Sequence, residues 1–226
     1  MKNYSKVLIA TPIRGNQTVT LYTAGLLQSV GLHGGWLPMA GQSDVYVARN
    51  VLLNEFYKRK EFDTLVWIDS DIGFTRQQLQ DLIDTDEQFV SGLYTDKCQP
   101  PMPFCRDENG VQLSLEDIPK EGMLAARFVP GGFLKIERTA IDTLIEKGNL
   151  NQYGNKAFWH FYFGRVVLDN LLSEDYSFSD LMFSVGIQPW INCGIRLNHD
   201  GRTCDPQPAN PVNNPSPPFG TTESAK

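Results

Sequence analysis

Residues 65–74 read LVWIDSDIGF: four apolar residues run straight into Asp69, Ser70 and Asp71. Two carboxylates this close at the end of a buried strand repel each other and lose hydration, so something there must offset them. A divalent cation is the first candidate. Mg2+ and Mn2+ suit carboxylate, water and phosphate oxygens, and such an ion commonly joins a protein to a diphosphate. The plainer alternative is that Asp71 caps a turn and Asp69 accepts a backbone hydrogen bond.

Other residues of chemical interest recur along the chain. Pro12-Ile13-Arg14-Gly15 follows an apolar run, where backbone and a cationic side chain can meet a nucleotide. Ser43-Asp44 and Arg49-Asn50 place polar groups on the segment preceding the acidic strand. Pro130-Gly131-Gly132 permits close approach of backbone to a ligand, because glycine has no Cβ, or simply makes a tight turn. Ser173-Glu174-Asp175 reads as a helix start with acidic first-turn residues, and a carboxylate there could also be a general base. His199, in LNHDG, is either an ordinary surface or core histidine or the group that completes a metal shell. Cys98, Cys105, Cys193 and Cys204 contain no CxxC pair, and their spacing with His199 does not fit the common zinc patterns.

The elements that must position these groups follow from periodicity. Lys6–Thr11 reads as a strand. Residues 17–31 read as a helix whose apolar face carries Val19, Leu21, Tyr22, Leu26, Leu27 and Val30. A weak strand over 36–39 precedes a helix capped by Ser43 or Asp44, with Val47, Val51, Leu52 and Phe56 inward. Residues 63–68 are the best strand. A helix capped by Thr75 follows, then a strand over 89–93. Residues 99–122 look like a loop or small hairpin. Residues 126–129 and 133–136 are strand-like, 138–147 is a helix with Thr139 as its nearest cap, and 149–170 resists assignment. A helix over 173–185 and a strand over 187–191 complete the pattern, and the Pro/Asn/Ser-rich stretch 205–226 reads as a tail. Strands alternating with helices in the first 95 residues predict a parallel sheet with crossover helices, and ligands bind such sheets at the carboxyl ends of the strands.

At 226 residues and 41% hydrophobic content, the chain is expected to form one soluble domain over 1–204. A formal net charge of −6 argues against a protein built mainly to hold nucleic acid. The dense basic run Lys58-Arg59-Lys60 fits a helix end. The start MKNYSKVLIATPI lacks the apolar core of a signal peptide, and no stretch reaches the roughly 20 apolar residues that span a bilayer. The expectation is an intracellular, cytoplasmic protein.

The order of these pieces resembles the GT-A-fold glycosyltransferases, which use nucleotide-sugar donors. The matching stretches are VLIATPIRG, SDVYVARNVLLNEF, LVWIDSDIGF, FVSGLYTDK, FVPGGFLKIER, SEDYSFSDLMFSVGI and IRLNHDG, covering residues 6 to 201. Small bacterial and phage-type members are the most similar, with some similarity to the yeast mannan polymerase subunits. The resemblance implies a single-domain, Rossmann-type mixed α/β sheet flanked by helices, and a Mn2+- or Mg2+-dependent glycosyltransferase, expected to be a hexosyltransferase. It implies Asp71 and His199 as metal ligands, with Asp69 at the metal, its water or the ribose. It places Thr11, Pro12, Arg14, Asp44 and Arg49 around the nucleotide, Lys97 at the diphosphate, Gly131 and Gly132 at the donor, and Glu174 and Asp175 beside the acceptor. Pro-Ile-Arg departs from the family's usual carboxylate after the first strand. Two further readings stand beside this one: a nucleotidyltransferase acting on sugar phosphates, against which TPIRGNQT lacks a Gly-rich phosphate loop, and a non-catalytic sugar-nucleotide-binding module. The acceptor is a hydroxyl on a glycan, a protein or a lipid-linked glycan, or on a hydroxymethylated DNA base, which the acidic charge disfavours.

Overall fold

The computed structural model describes residues 2–13, 17–96, 101–167, 170–200 and 202–203. Arg14, Lys97, Cys98, Cys204 and the stretch 205–226 lie outside the described residues. The elements in chain order are β1 (Val7–Ile13), α1 (Thr20–Gln28), β2 (Gly35–Ala40), α2 (Val45–Lys58), β3 (Thr64–Ile68), β4 (Ile72–Gly73), α3 (Arg76–Asp84), β5 (Phe89–Leu93), β6 (Met123–Ala125), β7 (Phe133–Glu137), α4 (Arg138–Lys147), β8 (Gln152–Tyr153), β9 (Phe158–Trp159), β10 (Arg165–Val167), β11 (Asn170–Leu172), α5 (Glu174–Ser184), β12 (Trp190–Arg196), β13 (Asn198–His199) and β14 (Arg202–Thr203).

Seven strands form one sheet in the order β2-β1-β3-β7-β5-β12-β6. The sheet is mixed as a whole, while β1, β2, β3 and β5, its strands from the first 95 residues, all run in one direction, as their alternation with helices predicts. β1 pairs parallel with β2 and β3, and β5 parallel with β12, but β7 runs antiparallel between β3 and β5, and β6 antiparallel on the edge. A mixed sheet flanked by helices is the architecture that the resemblance implies. The inner strands are apolar along their length, as strands covered on both faces must be: Leu65, Val66, Trp67 and Ile68 are all fully buried.

Prolines mark where the sheet frays into the site. Pro38 sits in β2, an edge strand, where a missing N–H is tolerated. Pro12 sits in β1, yet β1 outlasts its neighbour: pairing with β3 ends at Ala10–Trp67, while pairing with β2 continues to Ile13–Ala40. The overhanging end of β1 therefore becomes a wall beside the tip of β3.

Several sequence expectations are corrected. α1 does not bury one apolar stripe: Tyr22 and Gly25 face inward, while Leu21, Leu27 and Val30 are exposed. The reason is close packing at Gly25, where an added Cβ would lie 2.5 Å from the Phe74 carbonyl oxygen. Val47 is likewise exposed on α2. The strand expected at 126–129 is instead β6, at 123–125, and the last strand runs 190–196 rather than 187–191. Glu137, not Thr139, is the N-cap of α4, and it makes no side-chain cap bond. The Thr75 cap holds, with Gln78 returning the bond in a reciprocal capping box.

α2 is also a staple. Asn50 and Asn54, one turn apart, face the stretch 159–162. The Asn50 amide donates to the Tyr162 carbonyl (2.7 Å) and accepts from the Phe161 and Tyr162 N–H groups (2.8 and 3.0 Å). Asn54 does the same with the Trp159 carbonyl and N–H, both at 2.8 Å. Two asparagines thus stand in for a missing neighbouring strand. Asn50→Ala leaves these backbone groups unpaired in the interior and is expected to cost about 2–3 kcal/mol of stability in denaturant unfolding; a loss within experimental error of zero would show the staple to be dispensable.

Candidate functional site

The carboxyl end of β3 opens onto a cleft of about 1250 Å³. Pro12 and Ile13 line it from the β1 overhang; Gly41, Gln42, Ser43 and Val45 line it from the β2–α2 turn; Asp69, Ser70, Asp71 and Asp200 line its acidic side. Ser43 fits the loop that feeds α2, and Asp44 is spent as the N-cap, accepting from the Tyr46 N–H at 2.9 Å.

The two carboxylates of the Asp-x-Asp pair have different partners. Asp69 is matched by protein: Arg49 Nη2 lies 3.0 and 2.9 Å from its two oxygens. Arg49 is only 2% exposed, donates through Nη1 to the Gly131 carbonyl at 3.3 Å, and lies over the Trp67 and Tyr162 rings at 5.2 and 5.8 Å. Its Nε stands 3.7 Å from Glu174 Oε1. Burial pulls the Arg49 guanidinium down, but Asp69, Tyr162, Glu174 and Asp175 more than reverse this, so its proton is held more firmly than usual. Burial raises the Asp69 carboxyl, and Arg49 pulls it back.

Asp71 turns the other way. The short strand β4, just beyond it, pairs antiparallel with β13, setting His199 opposite Ile72. The Asp200 N–H donates to the Asp71 carbonyl at 3.0 Å. His199 Nε2 thereby lies 3.3 Å from Asp71 Oδ2. His199 Nδ1 is 2.8 Å from the Thr95 carbonyl, which can only accept, so Nδ1 carries the hydrogen. Nε2 faces the carboxylate and can share either a proton or a cation with it; the arrangement is the one in which a backbone carbonyl orients a metal-ligating histidine. The ring is packed edge-on by Tyr94 and Phe104, with centroids 5.2 and 6.2 Å away. One imidazole nitrogen and one carboxylate suit Mn2+ or Mg2+, which readily take further oxygens from water and phosphate. Among the described residues no group of three or more His, Cys, Asp or Glu side chains converges as a self-sufficient metal cage.

Gly131 and Gly132 serve the protein's own side chains. A Cβ on Gly131 would lie 2.9 Å from Asp175 Cβ and 3.3 Å from Arg49 Nη2; one on Gly132 would lie 2.6 Å from the Tyr94 hydroxyl and 3.0 Å from Asp69 Oδ2. Their backbone is strapped in turn: Gly131 N–H donates to Asp175 Oδ2 (3.3 Å), Gly132 N–H to the Tyr94 hydroxyl (2.8 Å), and Asp69 N–H to the Gly132 carbonyl (2.8 Å). Burial, then the Asp69 and Asp175 charges, hold the Tyr94 phenol far above its usual value, so it stays protonated.

Glu174 and Asp175 open α5 and line a second cleft of about 430 Å³. Asp175 Oδ1 accepts from the Ser173 hydroxyl and, at 2.9 Å, from the Tyr176 N–H. The structure thus brings Asp69, Asp71, Arg49, Gly131, Gly132, Glu174, Asp175 and His199 into one neighbourhood. Thr11 stands apart. It is fully buried, and its hydroxyl is bonded to the Tyr22 hydroxyl (2.8 Å) and the Trp36 indole N–H (3.1 Å). Arg49, expected around base and ribose, is inside the wall rather than on its surface. Asp200, Tyr94, Phe104 and Arg106 escaped the sequence reading. Asp200 follows His199 directly, but the other three lie in or next to a stretch whose composition suggests only loop.

No protein-family model matches the chain, and no curated protein matches it. Among solved structures it is similar to the crystal structure of A197 from STIV, at 16% identity with a TM-score of 0.53, over 84% of this chain and 84% of that one. It is also similar to the catalytic domain of Drosophila beta1,4galactosyltransferase 7 in complex with xylobiose, at 14% identity with a TM-score of 0.44, over 85% of this chain and 70% of that one. At these identities the likeness is one of fold alone. No helix among the described residues is long and apolar enough to cross a membrane.

Burial, then Asp175, raise the Glu174 carboxyl, against the pull of Arg49. A carboxyl that resists ionisation in the fold contributes its stability below the unfolded glutamate value, about 4.3, and loses it as pH rises through the higher folded value. Glu174→Gln cannot ionise. It is therefore expected to melt above the wild type at pH 7 and to lose that advantage at about pH 4; equal melting at both pH values would contradict the burial of this charge.

Proposed function

We propose that this chain is a metal-dependent glycosyltransferase that moves a sugar from a nucleoside-diphosphate sugar to a hydroxyl acceptor. The observation that carries this reading is the pairing of His199, at 3.3 Å, with Asp71, which lines the large cleft. Asp69, two residues back, has its own counter-charge in Arg49. The pair Asp71–His199 would hold Mn2+ or Mg2+. An ion held by this pair would supply positive charge against the negative charge that builds on a departing diphosphate.

The chain's own residues do the rest. The β1 overhang and the turn before α2 wall the space for the nucleotide. Across the Arg49 wall, Glu174 is the better placed base. Asp175 spends Oδ1 on Ser173 and Tyr176, and Oδ2 on Gly131. Glu174 makes a long contact to Arg49, at 3.7 Å, and burial, then Asp175, raise its affinity for a proton. It takes the proton from an acceptor hydroxyl as that oxygen attacks the anomeric carbon with inversion.

Two variants test the assignment. Asp71→Ala is expected to abolish Mn2+-dependent melting shifts with UDP-, GDP- and dTDP-linked sugars, together with turnover, while the protein stays folded. Glu174→Gln is expected to keep those shifts and lose transfer by about 10²–10⁴-fold. Full turnover by Asp71→Ala would count decisively against the metal pair. A wild-type protein that shifts with none of these sugar nucleotides but with nucleoside triphosphates and sugar phosphates would be a nucleotidyltransferase instead.

A further inference from the structure

Both partners of the proposed cation pair are referred to one side chain. Tyr94 follows β5 directly and is only 6% exposed. Its ring packs edge-on against the His199 imidazole, with centroids 5.2 Å apart and the planes at 65°. The next residue, Thr95, holds His199 Nδ1 through its carbonyl at 2.8 Å. That bond fixes one ring nitrogen but leaves the imidazole free to tilt about it, and the flank of Tyr94 removes this freedom. Tyr94 is itself tied at both ends. Its carbonyl accepts from the Phe104 N–H at 3.1 Å, and its hydroxyl accepts from the Gly132 N–H at 2.8 Å. The Gly132 carbonyl then accepts from the Asp69 N–H at 2.8 Å, and the Asp69 carbonyl from the Ile72 N–H at 3.1 Å. This last bond closes the turn that carries Asp71.

We infer, on the cation reading above, that Tyr94 is a positioning residue that sets the spacing of Asp71 and His199. Its ring places the imidazole, and its hydroxyl places the turn bearing the carboxylate. The two partners need such a common reference. Their backbones are joined only by the pairing of β4 with β13, two strands of two residues each. So short a ladder registers the main chain but leaves the side chains to be set by what surrounds them. The hydroxyl is the informative atom. A ring that merely filled space would serve as well without it. Phe104 also flanks His199, at 6.2 Å, but carries no polar atom with which to reach the turn. A Cβ on Gly132 would lie 2.6 Å from the Tyr94 hydroxyl, so that oxygen rests directly against bare backbone. Removing it leaves a buried N–H without its partner, and the Gly132–Asp69 connection must shift to find another.

The test compares the full wild-type chain with Tyr94→Phe, which keeps the ring and deletes the hydroxyl. Mn2+ affinity is measured from the EPR signal of the free ion. The His199 Nε2 resonance is read by 15N NMR without metal and assigned among the chain's 3 histidines with His199→Gln. Because Phe preserves the ring current, a moved Nε2 resonance reports the contact with Asp71 and not a missing neighbour. The expected result is about 10–100-fold weaker Mn2+ binding in Tyr94→Phe, together with a shifted Nε2 resonance. Asn54→Ala, whose side-chain bonds go to Asn50 and Trp159, controls for lost stability and is expected to bind Mn2+ as the wild type does. A wild type that takes up no Mn2+ would sink the cation reading alone, and the Nε2 resonance then decides the role of Tyr94 by itself. An unmoved Nε2 resonance overturns the inference in either case. Where the wild type binds Mn2+, undiminished affinity in Tyr94→Phe, or an equal loss in Asn54→Ala, overturns it as well.

Discussion

A guanidinium buried between two carboxylates is the constraint around which this molecule is arranged. Arg49 reaches from α2 to Asp69 at the tip of β3 and to Glu174 at the start of α5, and it is almost wholly withdrawn from water. Burying one such charge alone is prohibitive; burying it against Asp69 as its close partner is tolerable, and removing either member of that pair strands the other. The rings of Trp67 and Tyr162 complete the enclosure. This pairing answers the problem posed by an acidic strand tip. One carboxylate is neutralised from within by Arg49, and the next is turned toward a histidine and the open cleft.

The same cluster separates two spaces while keeping them adjacent. The large cleft has Asp69 on its wall, the smaller one has Glu174, and Arg49 touches both carboxylates. Gly131 and Gly132 make that economy of space possible. Any side chain at either position would push Asp175, Tyr94 or Asp69 out of place. The asparagine staple from α2 plays a related part, because it fixes the backbone of Tyr162, whose ring packs against Arg49.

Some of this was legible in the sequence for clear physical reasons. β3 announces itself by an unbroken apolar run, β5 is found at its true bounds, and Thr75 with Gln78 spells a capping box. The antiparallel course of β7 was not legible, since a short apolar strand carries no mark of its direction. β12 was displaced because Asn192 and Gly194, which fill the outward positions between buried Ile191, Cys193 and Ile195, are residue types that ordinarily mark the end of a strand. Motif order grouped Asp71 with His199, and their side chains lie 3.3 Å apart. Arg49 was given a place around the nucleotide by the resemblance; its burial is explained by carboxylate partners 20 and 125 residues away, which no local pattern shows. The cleft between Phe104 and Tyr176 is assembled from a segment with no periodic signal, so nothing local foretold it.

The most direct test of this account is a double-mutant cycle on Arg49 and Asp69, using Arg49→Met, Asp69→Asn and the pair, with unfolding free energies measured in denaturant at pH 7. Each single change strands a buried charge, and the double change removes both. The account predicts that the double variant loses less stability than the two single losses added together, with a coupling of about 2–3 kcal/mol. Strict additivity would mean that Arg49 does not offset the acidic strand tip, and would contradict the account at its centre.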